Sequence, residues 1–169
     1  MILGKIVRYL RKKYMPADKY ARYVGVTVGK NCLIATKHFS TEPYLITIGD
    51  NCQITYGVHF HTHGGAHVAR RQMPQFDVFG KIHVKDWAYI GSTSHIMPGV
   101  TVGEGSLIAA GSIVTRSVPD GEVWGGYQLA EFAVLKNILN ATSRIILIQN
   151  ICRLKKRKNC CCHFRMISL

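Results

Sequence analysis

An aliphatic residue recurs every six positions through the middle of the chain, and this period limits the folds open to it. The run has no slip over six repeats: Val84, Ile90, Ile96, Val102, Ile108 and Val114. Four residues after each comes a small or β-branched residue: Ala88, Ser94, Val100, Ser106, Ser112 and Val118. A period of six fits neither an amphipathic helix nor an alternating strand. It is typical of a solenoid in which three hexads close one triangular coil and both recurring positions point into the core.

The same pattern begins further upstream, so the solenoid extends well beyond the six regular hexads. One copy comprises Ile48, Ile54 and Phe60, with Cys52 and Val58 at the second inward position. A weaker copy comprises Val28 and Ile34, with Cys32. We therefore predict that the solenoid includes these upstream repeats.

Three stretches of the repeat are the most specific: residues 89–92, 97–103 and 108–116. They resemble the hexapeptide-repeat acyltransferases, whose fold is a left-handed parallel β-helix. The resemblance covers residues 23–127 and implies an all-β fold of this kind; the handedness comes from the resemblance alone. Within that family the chain is most similar to galactoside, maltose and xenobiotic acetyltransferases and to O-acetyltransferases of bacterial surface polysaccharides. The resemblance implies acetyl-CoA as the acyl donor, no required metal, and a homotrimer with active sites between subunits.

The hexads break off between Phe60 and Val84, and we predict an extended loop over residues 60–83. Four of the eight histidines fall in or beside its start: His59, His61, His63 and His67. A long loop that projects from a rigid scaffold is a common location for catalytic residues.

Acyl transfer from a thioester to a hydroxyl needs a base, and an imidazole suits that task at neutral pH. The resemblance places the base at the histidine of a Thr-His segment that opens the loop, which is His63 after Thr62. His61 is the second candidate. His59 and His67 are expected to be structural or solvated, and His95 is expected to point outward from the solenoid. No enzyme nucleophile is required, so the cysteines need no role.

A zinc site is an alternative, because alternate histidines at 59, 61 and 63 could ligate a metal. The same fold hosts a zinc hydratase, the gamma-type carbonic anhydrase, which also needs two histidines five residues apart on later coils. Here His95 stands alone, with Ile90 and Val100 at those offsets. We therefore predict no metal.

The resemblance assigns acetyl-CoA contacts to Ser92, Ala110, Thr115 and Arg116. Small side chains would admit the pantetheine arm, and a guanidinium would pair with a phosphate. On the acceptor side we predict contacts from His61, Asp77 and Tyr56.

The acceptor-binding Asn and Asp of the galactoside enzymes have no clear match near residues 35–36 and 42–43, so a simple galactoside is not the expected acceptor. We predict acetylation of a sugar hydroxyl in bacterial surface polysaccharide (capsule or lipopolysaccharide) biosynthesis. Two rival functions fit the same residues: acetylation of a nitrogen on an amino sugar or antibiotic, and a binding scaffold without catalysis.

The net charge of +13 is concentrated at the two ends of the chain. Residues 1–22 and 151–169 carry +6 each, which leaves +1 for the body and argues against nucleic acid as a partner. Apolar spacing predicts a basic N-terminal helix within residues 1–22, and a C-terminal helix with a basic tail over residues 128–169. These ends could contact an anionic membrane that carries a lipid-linked sugar acceptor. We expect a cytoplasmic protein, located at the inner face of the membrane if these contacts form.

Overall fold

A computed structural model describes residues 2–64, 66–126 and 130–134 of the chain. Two helices come first, α1 (Ile2–Tyr14) and α2 (Ala17–Val24), and short strands follow. The strands are β1 (Thr27–Val28), β2 (Leu33–Ile34), β3 (Ile46–Ile48), β4 (Gln53–Ile54), β5 (His59–Phe60), β6 (Ile82–Val84), β7 (Tyr89–Ile90), β8 (His95–Ile96), β9 (Thr101–Val102), β10 (Leu107–Ile108), β11 (Ile113–Val114), β12 (Glu122–Gly125) and β13 (Ala130–Val134).

The strands form three parallel sheets, which are the three faces of a β-helix. Face A has the order β1-β3-β6-β9, and face C has the order β5-β8-β11. Face B runs β2-β4-β7-β10-β12 and ends with β13. The chain visits the faces in the order A, B, C within each coil, which confirms the predicted parallel solenoid.

The coil length shows that three hexads make one coil. Ile90 pairs in register with Ile108, and His95 pairs with Ile113, in each case 18 residues further on. Earlier coils contain insertions, since Ile34 pairs with Ile54 and Ile54 pairs with Ile90. The 36-residue step between Ile54 and Ile90 contains the predicted loop.

The interior is the column of side chains that the repeat predicts. All six aliphatic positions of the regular hexads are 0% exposed, and the small residues four positions later are at most 3% exposed. Ser94, Ser106 and Ser112 are buried with their hydroxyls bonded to backbone carbonyls, so the serines fill the narrow corners without an unpaired donor.

The N-terminal region forms two helices rather than one. Pro16 separates α1 from α2, because proline fits the start of a helix and disrupts its interior. Tyr20 and Ala21 of α2 join the hydrophobic core next to Val26 and Val28. The guanidinium of Arg22 donates to the carbonyls of Val28 and Gly29, which fixes α2 on the first coil.

The predicted C-terminal helix is wrong at residues 130–134, which form β13. This strand pairs antiparallel with β12. Its apolar spacing suits a helix, but the outer edge of β12 offers unpaired backbone groups that a strand can satisfy. The rest of the predicted C-terminal helix and basic tail, residues 128–129 and 135–169, lies outside the described residues.

The break in the hexads is a loop, as predicted, between the end of β5 at Phe60 and the start of β6 at Ile82. It contains a 3₁₀ segment, Ala66–Arg71. An isolated antiparallel bridge joins His63 to Phe79 and closes the base of the loop. Within the described part of the chain, no helix is long and apolar enough to cross a membrane.

The packing of the column predicts a large loss of stability for Ile90→Ala. Ile90 is fully buried, and removing its side chain leaves a cavity that costs about 2–5 kcal/mol of unfolding free energy. Leu33→Ala on the same face is the matched control, because Leu33 is 66% exposed and should cost about 0.5 kcal/mol or less. Urea denaturation of both variants measures the two values, and equal losses would contradict this packing.

Candidate active site

The segment after β5 continues the alternation of the strand and places His63 outward. Phe60 and Thr62 point inward and are 1% and 0% exposed. The Thr62 backbone N–H donates to the Ser40 hydroxyl at 3.2 Å, and the Gly80 N–H donates to the Thr62 carbonyl at 2.9 Å. These bonds hold the backbone beside His63 against the preceding coil and the returning end of the loop.

His63 forms a hydrogen-bonded pair with Glu42. The distance from His63 Nδ1 to Glu42 Oε2 is 2.9 Å, and Thr41 Oγ1 lies 3.1 Å from the same nitrogen. The Thr41 and Thr62 hydroxyls donate to the two oxygens of Glu42 at 2.6 and 2.7 Å. The carboxylate is therefore fixed on both oxygens before it meets the imidazole.

The hydrogen bonds keep Glu42 ionised. The hydroxyls of Thr41 and Thr62, followed by His63, lower the pKa of Glu42 from its ordinary 4.5 to about 2. An ionised carboxylate can only accept hydrogen bonds, so Nδ1 of His63 must carry the hydrogen. In the neutral ring the lone pair is then on Nε2, the nitrogen that can act as a base.

His63 and Glu42 line a cavity of about 510 Å³, which also includes Arg70, Asp77 and Phe79. The guanidinium of Arg70 bonds the Asp77 carboxylate at 3.0 Å and the Phe76 carbonyl at 3.1 Å. The Phe79 ring lies edge-on to His63 with centroids 6.4 Å apart. The structure thus brings predicted residues His63 and Asp77 into one cavity.

His61, the other predicted loop histidine, belongs to a different group of side chains. Its Nε2 lies 3.0 Å from Nδ1 of His95, so one of these nitrogens donates and the other accepts. Burial and the neighbouring imidazoles of His95, His59 and His63 lower the pKa of His61. His61 bonds another imidazole rather than a carboxylate that would fix its tautomer, and its lowered pKa makes it a weaker base than an ordinary imidazole.

The residues predicted to contact acetyl-CoA lie at two corners of the β-helix. Ser92 and Ala110 occupy the corner between faces B and C, where the Gly111 N–H donates to the Ser92 carbonyl at 2.8 Å. Gly91 belongs to the same corner, and a Cβ there would lie 2.4 Å from the Ala110 nitrogen, so only glycine permits this stacking.

Thr115 and Arg116 follow β11, at the opposite edge of face C. The Arg116 guanidinium stacks 4.8 Å from the Trp124 ring centroid.

Tyr56, a predicted acceptor contact, lies apart from the His63 cavity. It is 76% exposed at the corner between faces B and C, where its carbonyl accepts from the Thr93 N–H at 3.0 Å. The structure does not bring Tyr56 together with Asp77.

Neither a metal centre nor a cysteine nucleophile emerges from the geometry of the described residues. Among them, no three His, Cys, Asp or Glu side chains are arranged to hold a metal ion. Cys32 and Cys52 are free thiols that donate to backbone carbonyls of the next coil, each at 3.0 Å. Burial raises the pKa of Cys52 to about 11, which makes it a poor nucleophile.

Glu42 is the functional candidate that sequence reasoning missed. It stands 21 residues before His63, the same separation that joins His38 to His59 across the first two coils. A coil length of 21 residues aligns Glu42 with His63, whereas the regular spacing of 18 aligns His63 with Leu45. The signal that could have found Glu42 is therefore the length of this one coil.

Comparison with known proteins supports the same family. The family model described as bacterial transferase hexapeptide (six repeats) matches residues 82–116. Protein CapG of Staphylococcus aureus is 41% identical over 128 residues, which cover 73% of this chain and 74% of that protein. The galactoside O-acetyltransferase of Escherichia coli is 34% identical over 103 residues, 60% of this chain and 50% of that enzyme.

A solved structure has the same fold. The hexapeptide-repeat acetyltransferase of Vibrio cholerae O1 biovar eltor, complexed with acetyl coenzyme A, superposes with a TM-score of 0.60 at 28% identity. The match covers 66% of this chain and 61% of that one. With its six regular hexads, its three-faced β-helix and these relatives, the chain belongs to the hexapeptide-repeat acetyltransferases.

Proposed function

We propose that this chain is an acetyl-CoA-dependent O-acetyltransferase that acts on a sugar hydroxyl, with His63 as the general base. The observation that carries the proposal is the Glu42–His63 pair, which presents Nε2 as the basic nitrogen beside a cavity of about 510 Å³. The acetyl-CoA complex of the Vibrio cholerae relative supports the donor. The galactoside O-acetyltransferase supports a hydroxyl acceptor.

The reaction needs one proton to be carried by His63 from the acceptor hydroxyl to the departing thiolate. Nε2 of His63 takes the proton of the acceptor hydroxyl as the oxygen attacks the thioester carbonyl. The tetrahedral intermediate collapses with cleavage of the carbon–sulfur bond, and the imidazolium returns the proton to the departing thiolate. Backbone N–H groups at a glycine-containing corner would stabilise the oxyanion. Glu42 stays ionised throughout and stabilises the imidazolium that forms.

In this proposal the donor lies along the later coils of a left-handed β-helix. Ser92 and Ala110 would flank the pantetheine arm, and Thr115 and Arg116 would contact the same donor from the other edge of face C. Because these residues are on two edges of one face, one subunit would supply one wall of the groove and its neighbour the other. This arrangement supports a homotrimer with shared active sites.

The acceptor would enter the His63 cavity beside Asp77, in the biosynthesis of a bacterial surface polysaccharide. We place the enzyme in the cytoplasm, with basic N-terminal residues directed to the membrane surface. The cations Arg11 and Lys13 in the last turn of α1 support this location.

The proposal predicts that His63→Ala reduces kcat by about 10²–10⁴-fold, because the hydroxyl loses its general base. Binding of acetyl-CoA should change little, since His63 acts on the acceptor proton. His83→Ala is the matched control, because His83 faces outward on face A and is exposed. Release of the CoA thiol with a panel of sugar acceptors measures both variants, and full turnover by His63→Ala would overturn the assignment.

Glu42→Gln tests whether Glu42 positions the His63 ring, through the turnover rate and through the unfolding free energy in acid. In serine proteases, amide replacement of the carboxylate that holds the histidine tautomer costs about 10⁴-fold, and we expect a loss of about 10–10³-fold here.

The same variant should alter the pH dependence of stability. Because the folded pKa of Glu42 lies below its ordinary value, the folded chain binds fewer protons than the unfolded chain between those two values. The carboxylate therefore stabilises the fold fully above about pH 5, and this contribution is lost as the pH falls toward 2. The difference in unfolding free energy between wild type and Glu42→Gln should shrink over that window in urea titrations. Glu104→Gln, at an exposed carboxylate, is the control; a Glu42→Gln difference that stays constant with pH would refute the ionised pair.

A further inference from the structure

A second cavity, of about 490 Å³, lies beside the His63 cavity, between the N-terminal helices and the first two coils. Its charged side chains are those of Lys12 and Lys37. The other polar lining residues are the imidazoles of His38, His59 and His61 and the hydroxyl residues Tyr9, Tyr20 and Ser40. No carboxylate lines this cavity among the residues that the structure describes. In a chain whose body is nearly neutral, this one-signed lining favours an anionic ligand.

The Lys37 ammonium is held at the cavity by the end of α1. The Lys37 ammonium donates to the Lys12 carbonyl at 2.7 Å and to the Lys13 carbonyl at 3.4 Å. These bonds use carbonyls that the helix leaves unpaired at its C-terminus, so they fix the ammonium without neutralising it. Lys12 lies close enough to His38 and His59 to contribute to lowering the pKa of both imidazoles, after burial and the neighbouring histidines.

The imidazoles form a stacked column along face C. The rings of His38 and His59 are 4.1 Å apart between centroids, and those of His59 and His95 are 5.0 Å apart. His61 completes the group through its bond to His95. The lowered pKa values of His38, His59 and His61 favour the neutral ring, which has one donor N–H and one acceptor nitrogen.

The position of this cavity relates it to the acceptor rather than to the donor. His61 lines this cavity and His63 lines the other one. These residues are two apart on an extended segment, so their Cα atoms are separated by roughly 7 Å. The proposed donor contacts, Ser92 and Ala110, lie on later coils, whereas this cavity lies on the first two coils and the helices. A ligand that spans both cavities would cross His63 from the side opposite to acetyl-CoA.

We propose that this cavity binds the phosphate or diphosphate of a phosphorylated sugar, whose hydroxyl lies at His63. Lys12 and Lys37 supply the positive charge, and ring N–H groups of His38 and His59 supply hydrogen-bond donors. The inference rests on the proposed function, because it names the class of acceptor that the His63 site acetylates. The same diphosphate chemistry occurs in a nucleoside diphosphate sugar and in a polyprenyl diphosphate sugar.

The test measures binding of inorganic pyrophosphate to the full chain by isothermal titration calorimetry, without acetyl-CoA. We expect Lys12→Glu to weaken binding at least tenfold, Lys12→Gln to weaken it less, and Lys30→Glu to leave it unchanged. Lys30 is the control because it is an exposed lysine that does not line the cavity. In the unmodified chain, the ring-proton NMR signals of His38 and His59 should shift on addition of pyrophosphate, a readout that does not depend on any variant folding.

Two further arms separate the sources of the phosphate and the two proposals. Displacement of pyrophosphate by uridine diphosphate indicates a nucleotide-linked acceptor, and displacement by geranyl diphosphate indicates a lipid-linked one. His63→Ala should bind pyrophosphate as the unmodified chain does. If His63→Ala loses turnover but the unmodified chain does not bind pyrophosphate, the proposed function stands and this inference is overturned. Binding that Lys12→Glu does not weaken, or that neither organic diphosphate displaces, also overturns it.

Discussion

The packing of each inward side chain against its equivalents one coil away fixes the scaffold on which the candidate site is built. Ile54, Ile90 and Ile108 stack in register on face B, and each is fully buried. Parallel backbone bonds between the coils add to this packing, so the scaffold has little freedom to shift. A side chain at a corner or on an outer face is therefore positioned by its place in the hexad rather than by its own contacts.

The site uses this rigidity at the point where the repeat fails. Thr62 still occupies an inward, fully buried position, and its hydroxyl bonds Glu42 from the preceding coil. One residue later, His63 is 45% exposed on its side chain and reaches the same carboxylate, which is 19% exposed. Thr62, the last inward residue of this coil, thus binds the carboxylate, and the next residue, His63, presents the base. Hydrogen bonds from hydroxyl groups lower the pKa of Glu42 and so favour the ionised carboxylate. Deep burial would have the opposite effect, because it disfavours the charged form.

The hexads alone were sufficient to predict the solenoid, its inward residues and the long loop, because each depends on spacing within one coil. Features that depend on neighbouring coils were not predictable by counting. Glu42 and His63 are 21 residues apart, and His59 and His95 are 36 apart, because insertions change the length of the early coils. The strand β13 depends on the open edge of β12 rather than on its own apolar pattern. Pro16, in contrast, is a local sequence signal, because a proline often marks the start of a helix such as α2.

The two cavities give His63 an asymmetric environment along the axis of the coil. Toward the N-terminal helices lie Lys12, Lys37 and the histidine column, and toward the later coils lie the corners at Ser92 and Ala110. The proposed role of His63 as general base depends on the ring holding its hydrogen on Nδ1, toward Glu42. Long-range ¹H–¹⁵N NMR of the histidine rings at neutral pH reports this tautomer directly. The account predicts that neutral His63 is protonated on Nδ1 with an unprotonated Nε2; a ring protonated on Nε2 alone would contradict it.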